Sequence, residues 1–355
     1  MANPAKKGAV YYSNEAYSNI NLYLSRNKPS KVFVLVDSNT HGHCVAKFLS
    51  QVEEPSNFEI IEIPAGEEHK TLETCNGVWN ALSELGADRK SLLINLGGGV
   101  VTDLGGFVAC TFKRGISYIN VPTTLLAMVD ASVGGKTGVD LGNLKNQIGV
   151  ISEPEMVLID SIYLQSLPKN EMRSGLAEVL KHGLIKDEAY WEKVSNLSNL
   201  DFTHLDEIIK RSVEIKSEVV TQDPLEKNIR KTLNYGHTLG HAIESHFLTH
   251  NSKPKLLHGE AVAAGMVLAT HISQRLKNFP EEKLNRISSK IFDIYGKIEI
   301  DENDLENILA LMKFDKKNEH GKINFVLLKD IGAPEIDCEV PNKNIYEAFD
   351  FYKTA

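Results

Sequence analysis

The chain has 355 residues, 42% of them hydrophobic, enough to bury a large core and to divide into two domains. A formal net charge of −8 argues against nucleic acid or an anionic membrane as the main partner, although a small anionic substrate needs only a local basic pocket. The four cysteines, Cys44, Cys75, Cys110 and Cys338, contain no CxxC pair, which argues against a disulfide scaffold and a zinc ribbon and for a reducing compartment.

The opening stretch MANPAKKGAVYY has no apolar run, so no secretory signal is expected. The longest apolar stretch, EAVAAGMVLAT, is too short for a bilayer of about 30 Å. A cytoplasmic protein with no membrane partner is the expectation. From residue 31 onward, the β-rich runs KVFVLVD, NFEIIEI, SLLINLGGG, ISYINVP and EMVLID alternate with helical patterns such as TLETCNGVWNALSELG. This alternation predicts an α/β, Rossmann-like domain with a mostly parallel sheet over residues 1–165. After SLPKN the apolar spacing settles near three and four, in EMRSGLAEVLKHGLI, LDEIIKRSVEIKSEVV, TLNYGHTLGHAIESHF, GEAVAAGMVLATHISQRL and ENILALMKF. An all-helical domain over residues 166–355 is predicted. The sequence shows no internal repeat, and PEEKLNRISSK reads as a solvated helix face. A cleft between the halves is the expected place for a site.

In INLGGGVVTDLGGF a buried-type strand runs into Gly97, Gly98 and Gly99 with a helix after them, so backbone N–H groups would face whatever sits at the helix start. That suits a phosphate, but Thr102 stands where the dinucleotide fingerprint GxGxxG has its third glycine, and a tight structural turn explains the run equally simply. DASVGGKTG is not a P-loop, because Asp130 occupies the place of the required first glycine; Lys136 stays of interest as a lysine pinned beside two glycines.

The helical half supplies metal candidates. His237 and His241 are four residues apart and share one helix face, His258 opens the next apolar helix, and Glu178 in GLAEVLKHG is followed one turn later by Lys181. Two histidines and a carboxylate make a common catalytic zinc set. Spacing does not choose among His182, His237, His241 and His258.

The ordered series PAGEEHK, GGGVVTDLGGF, VPTTLLAMVDASVGGKTG, KNQIG, GLAEVLKHGLI, RKTLNYGHTLGHAIE and HGEAVAAGM, spread over residues 31–330, resembles the 3-dehydroquinate synthase family of the sugar-phosphate cyclases. The resemblance implies an NAD-binding α/β domain, a helical metal-binding domain and a homodimer. It also implies a lyase that converts 3-deoxy-arabino-heptulosonate 7-phosphate to 3-dehydroquinate and phosphate, on the shikimate route to chorismate and the aromatic amino acids. The implied chemistry is transient oxidation of the C5 hydroxyl, phosphate elimination, return of the hydride and aldol closure, with NAD+ restored each turn.

Residue by residue, the resemblance implies metal ligation, by Zn2+ or Co2+, at Glu178, His237 and His258. For NAD it implies Asp37, Asn39, Glu67, Lys70, Gly98, Gly99, Val100, Asp103, Thr123, Thr124, Lys136, Lys145 and Ser166. Asp130, Lys136, Lys181 and His241 would act on the substrate; Asn146, Lys216, Arg230 and Asn234 would bind it, with Arg114 reaching in from the dimer partner. One of Lys313, Lys316, Lys317 or Lys322 would face the phosphate. The chain departs from the family at DLGNLKN, which lacks a proline and glycine common before the Lys-Asn pair, and at Asn228, where glycine is usual.

Other readings are a metal-dependent polyol or alcohol dehydrogenase, another sugar-phosphate cyclase, and a scaffold without activity. Against the dehydrogenase stand Lys136, Lys216, Arg230 and Asn234, more anion-binding groups than a polyol requires.

Overall fold

The computed structural model describes residues 7–53, 58–142, 144–196, 204–250, 253–312 and 323–355. They fall into two compact units, Met1–Pro168 and Lys169–Ala355. Among the described residues no helix is long and apolar enough to cross a membrane.

In chain order, the first unit contains β1 (Ala9–Tyr12), α1 (Ser13–Asn27), β2 (Val32–Asp37), α2 (Ser38–Leu49), β3 (Phe58–Ile63), α3 (Leu72–Glu84), β4 (Leu92–Gly97), α4 (Gly99–Thr111), β5 (Ser117–Pro122), β6 (Lys136–Leu141), β7 (Leu144–Ile151) and β8 (Met156–Ile159). Six strands form one parallel sheet in the order β1-β8-β5-β4-β2-β3. The continuous apolar runs of β2 and β4 follow from that arrangement: a parallel sheet carries its crossover helices on its faces, so its central strands are buried on both. β6 and β7 stand apart as an antiparallel ribbon.

The core of this unit packs Phe33, Leu35 and Leu93 of the sheet against Val101, Leu104 and Val108 of α4. Helix α4 crosses β4 closely enough that a Cβ added to Gly105 would lie 2.0 Å from Asn95 Oδ1 and 2.9 Å from Leu35 Cδ2. Gly105 thus permits the close helix–strand approach that the third fingerprint glycine provides in a dinucleotide fold, three residues later than the Thr102 position. Gly105→Ala is expected to destabilise the protein by about 1–3 kcal/mol, because the core must open to admit the methyl. A urea midpoint unchanged from wild type would show that the helix shifts at no cost.

The second unit contains α5 (Lys169–Lys186), α6 (Glu188–Ser195), α7 (Leu205–Gln222), α8 (His237–Thr249), α9 (His258–Lys277), α10 (Glu281–Tyr295), α11 (Glu302–Met312) and α12 (Asn342–Thr354). The expected helical domain therefore forms, and it also carries an antiparallel ribbon of β9 (Asn324–Asp330) and β10 (Ala333–Glu339) that the 3.6-residue pattern did not reveal. Helix α5 is buried without interruption from Ser174 to Ile185, with α6, α7 and α9 packed around it. A surface helix shows one apolar stripe; an enclosed one is apolar all round, except where charged groups are retained for a reason. Here they are Glu178, Lys181 and His182, each no more than 1% exposed.

Candidate active site

In the first unit, β2 has β3 on one side and β4 on the other, so the winding of the sheet reverses between β2 and β4. Ligands of open α/β sheets bind beyond the carboxyl ends of the strands at such a reversal. Asp37 ends β2 there and Gly97 ends β4. Gly98 occupies the N-cap of α4 and provides no side-chain cap, leaving the first-turn N–H groups, including those of Gly99 and Val100, facing outward from the helix start. A Cβ on Gly98 would meet Thr124 Cγ2 at 2.9 Å, so the turn is lined closely by the segment after β5. Thr123 donates its backbone N–H to Gly97 O at 3.0 Å. A bare helix N-terminus at the reversal point, with no Cβ to obstruct it, fits a dinucleotide pyrophosphate. Asp37 accepts the N–H of Thr40 at 2.8 Å and caps α2, and Asn39 is exposed in that helix's first turn.

Beside this turn, Lys70 is 3% exposed and donates to Asp103 Oδ2 at 2.6 Å and Asn146 Oδ1 at 2.7 Å. Burial alone would lower the Lys70 pKa; Asp103 and Glu67 outweigh it and raise the value. Lys145 pairs with Glu67 at 3.0 Å, and the backbone N–H of Asn146 donates to Asp140 Oδ1 at 2.6 Å. One network thus gathers Glu67, Lys70, Asp103, Lys145 and Asn146, and adds Asp140, which sequence reasoning did not single out. Asn146 has φ +50°, a left-handed turn at the DLGNLKN departure. Asp130 is half-buried in a π-helical turn, Ala127–Ala131, and Lys136 is exposed at the head of β6. Arg114, at φ +71°, and Ser166 are exposed.

In the second unit, Glu178 Oε1 lies 3.3 Å from His237 Nε2 and 3.3 Å from His258 Nε2. Ligands bound at 2.0–2.1 Å in a tetrahedron stand about 3.3–3.4 Å apart, so these atoms are spaced as edges around one zinc-sized ion. The far ring nitrogens are anchored: His237 Nδ1 to Tyr235 O at 3.1 Å and His258 Nδ1 to Glu244 Oε2 at 3.2 Å. With a proton on each Nδ1, both Nε2 atoms face one carboxylate oxygen, the orientation in which they and the carboxylate would serve together as ligands of a metal. Lys181 also ion-pairs with Glu178, through Oε2. Burial would raise the Glu178 pKa, but Lys181 and His237 hold it well below the usual carboxylate range. Burial opposes protonation of His258, yet Glu244 and Glu178 push its pKa up to about 10; burial and Lys181 lower that of His237. The donor set fits a divalent metal such as zinc or cobalt.

The close approach of α8 and α9 builds this cluster. Gly236, at φ +79°, turns the chain into α8, and a Cβ on Gly265 would lie 2.0 Å from Gly236 O. His241 falls into the same cluster: its ring centroid is 5.0 Å from that of His237 and 5.8 Å from that of His258, and the three donor nitrogens lie within 4.8 Å of one another. Glu244 was missed by the sequence reading, although His237, His241 and Glu244 follow the i, i+4, i+7 spacing of one helix stripe. His182 is instead bonded to Ser212 Oγ at 2.7 Å.

Elements packed on α5 carry the remaining cations. Lys216 on α7 is buried, and Arg230, 2% exposed, donates to Pro224 O at 2.7 Å. Asp223 organises that loop by accepting the N–H groups of Lys227, Asn228 and Arg230. Asn234 donates to Glu226 Oε1 at 2.7 Å, another carboxylate that the sequence reading did not single out. Lys313, Lys316, Lys317 and Lys322 lie outside the described residues.

Comparison with known proteins follows the same division. Residues 60–174 match the family profile described as 3-dehydroquinate synthase N-terminal, and residues 175–318 the one described as 3-dehydroquinate synthase C-terminal. A 3-dehydroquinate synthase of Parabacteroides distasonis is 42% identical over 349 residues, covering 97% of each chain. Among solved structures, 2-epi-5-epi-valiolone synthase from Streptomyces hygroscopicus subsp. jinggangensis, with NAD+ and Zn2+ bound, superposes with a TM-score of 0.84 at 25% identity, covering 99% of this chain and 98% of that one. A 2-deoxy-scyllo-inosose synthase complexed with carbaglucose-6-phosphate, NAD+ and Co2+ gives a TM-score of 0.79 at 25% identity, covering 97% and 98%. With both halves matched in order and a relative of this identity aligned almost end to end, the chain belongs to the 3-dehydroquinate synthase family.

Proposed function

We propose that the protein converts 3-deoxy-arabino-heptulosonate 7-phosphate to 3-dehydroquinate and phosphate as a cytoplasmic homodimer. The observation that carries this reading is the burial of Lys181, Lys216 and Arg230 in the unit that holds the Glu178–His237–His258 cluster. A substrate bearing a carboxylate and a phosphate calls for cations gathered in this way, whereas a neutral polyol does not.

When bound, NAD+ supplies a reversible hydride acceptor and the metal a Lewis acid. The chain's own groups do the rest. The α4 N-terminus takes the pyrophosphate at Gly98, Gly99 and Val100, and Asp37 and Asn39 sit at the end of β2 for a ribose. Glu67, Lys70, Asp103 and Lys145 brace that pocket, and Thr123, Thr124, Lys136 and Ser166 complete it. Glu178, His237 and His258 hold the metal. Arg230 presents a planar fork to the substrate carboxylate beside Asn234, while Lys136, Lys181 and Lys216 are compact charges for hydroxyl and phosphate oxygens. Asp130 and Asn146 orient hydroxyls, His241 offers a ring N–H to the departing phosphate, and Arg114 of each chain serves the site of the other. The departing phosphate itself accepts the proton removed at C6, so positioning is much of the catalysis.

Phosphate release from the heptulosonate phosphate is expected to exceed the NAD added many-fold, without lasting NADH absorbance. NADH accumulating in step with product, or turnover of a polyol, would replace this reading with a dehydrogenase.

A further inference from the structure

The C-terminal end of α8 presents a second pair of histidines four residues apart, His246 in its last turn and His250 at its C-cap, with ring centroids 5.4 Å apart. His246 is nine residues beyond His237, about two and a half turns, so this pair faces away from the Glu178 cluster. Opposite it stands Asp304, in the first turn of α11 and 2% exposed, whose Oδ1 is 2.8 Å from His246 Nε2. The donor atoms of His246, His250 and Asp304 all lie within 4.8 Å of one another.

The carboxylate is held for this task. Asp304 Oδ2 accepts the N–H of Asp301 at 2.9 Å and also the Lys253 ammonium, while Asp301 Oδ1 accepts the N–H of Asp304 at 2.9 Å. This reciprocal cap at the start of α11, together with the lysine, occupies Oδ2 and leaves Oδ1 turned toward the imidazoles. We propose that His246, His250 and Asp304 form a second divalent-metal site, for a zinc-type ion, that fastens the end of α8 to the start of α11. Two imidazole nitrogens and one carboxylate oxygen are donors that such ions take. With neutral imidazoles, Asp301 and Asp304 against Lys253 leave one net negative charge, and the last carbonyls of α8 add to it. An ion needs donors about 3.3 Å apart; the His246–Asp304 pair, at 2.8 Å, opens slightly as the ion replaces the proton between them, and half-buried His250 rotates inward.

The test is metal counting on the full-length protein, stripped with chelator and dialysed against zinc. The wild type is expected to hold about two zinc ions per chain, His250→Ala about one, and His237→Ala about one. Zinc should raise the melting temperature of His237→Ala but not that of His237→Ala/His250→Ala. Asp304→Asn also removes a helix cap, so His250→Ala is the deciding variant; it should release phosphate from the heptulosonate phosphate at the wild-type rate. One zinc per chain in the wild type, or an undiminished second zinc in His250→Ala, overturns the proposal without touching the proposed activity.

Discussion

His241→Ala is expected to retain the metal of the Glu178 cluster and to bind NAD, yet to lose roughly two or more orders of magnitude in turnover, the size of effect expected for a lost proton-transfer group. His237→Ala should lose the metal itself. The two residues share a helix face with ring centroids 5.0 Å apart, so spacing treats them as equals; their surroundings do not. His237 Nε2 is 3.3 Å from Glu178 Oε1 and its Nδ1 is anchored on Tyr235 O, whereas half-buried His241 stands one turn further on. That is within reach of a substrate held at the metal, where an imidazole can donate to a phosphate oxygen and pass its proton. Counting zinc in a His250→Ala background isolates this cluster. Equal loss of zinc from the two variants would make His241 a ligand, a role its nitrogen is near enough to fill.

Glu178→Gln should weaken metal binding by more than the roughly 10–100-fold that loss of a supporting contact costs, because the site would lose its one anionic ligand. Turnover should fall with it. The metal-free variant should also be less stable than the metal-free wild type, since Lys181, 1% exposed, would keep its charge without the carboxylate it pairs with. Removing one member of a buried ion pair typically costs about 3–5 kcal/mol. Normal zinc affinity and activity in Glu178→Gln would put the carboxylate outside the metal's ligands, and an unchanged urea midpoint would mean that Lys181 is neutralised elsewhere.

The change from α/β to helical structure was legible because it is written in periodicity: the runs KVFVLVD, NFEIIEI, SLLINLGGG, ISYINVP and EMVLID cover β2, β3, β4, β5 and β8. In the first unit, the strands that escaped lack that signal. β1 is four residues long, and the β6–β7 ribbon pairs Gly138 with Gly149, where backbone approach replaces side-chain packing. In the site, the glycine turn and the His237–His241 pair are local and could be read directly. The meeting of Glu178 with His237 and His258 could not, since it depends on how α5, α8 and α9 pack. Gly105 was overlooked because the fingerprint fixes a position in sequence, whereas the physical requirement is that helix and strand cross without a Cβ between them, and α4 meets that one turn later.

The placement of β1 has a consequence for synthesis on the ribosome. The first strand of the six-stranded sheet to emerge, Ala9–Tyr12, pairs with β8, Met156–Ile159, which is the last strand of that sheet to be made. At about 5–20 residues per second, roughly 7–30 s separate the two. Through that interval the nascent chain holds β1 and α1 without their sheet, and the edge of β5 that β8 will cover stays open to other strands. Closure of the α/β unit therefore waits on its own final strand, and the period before it is when a holding chaperone has most to bind.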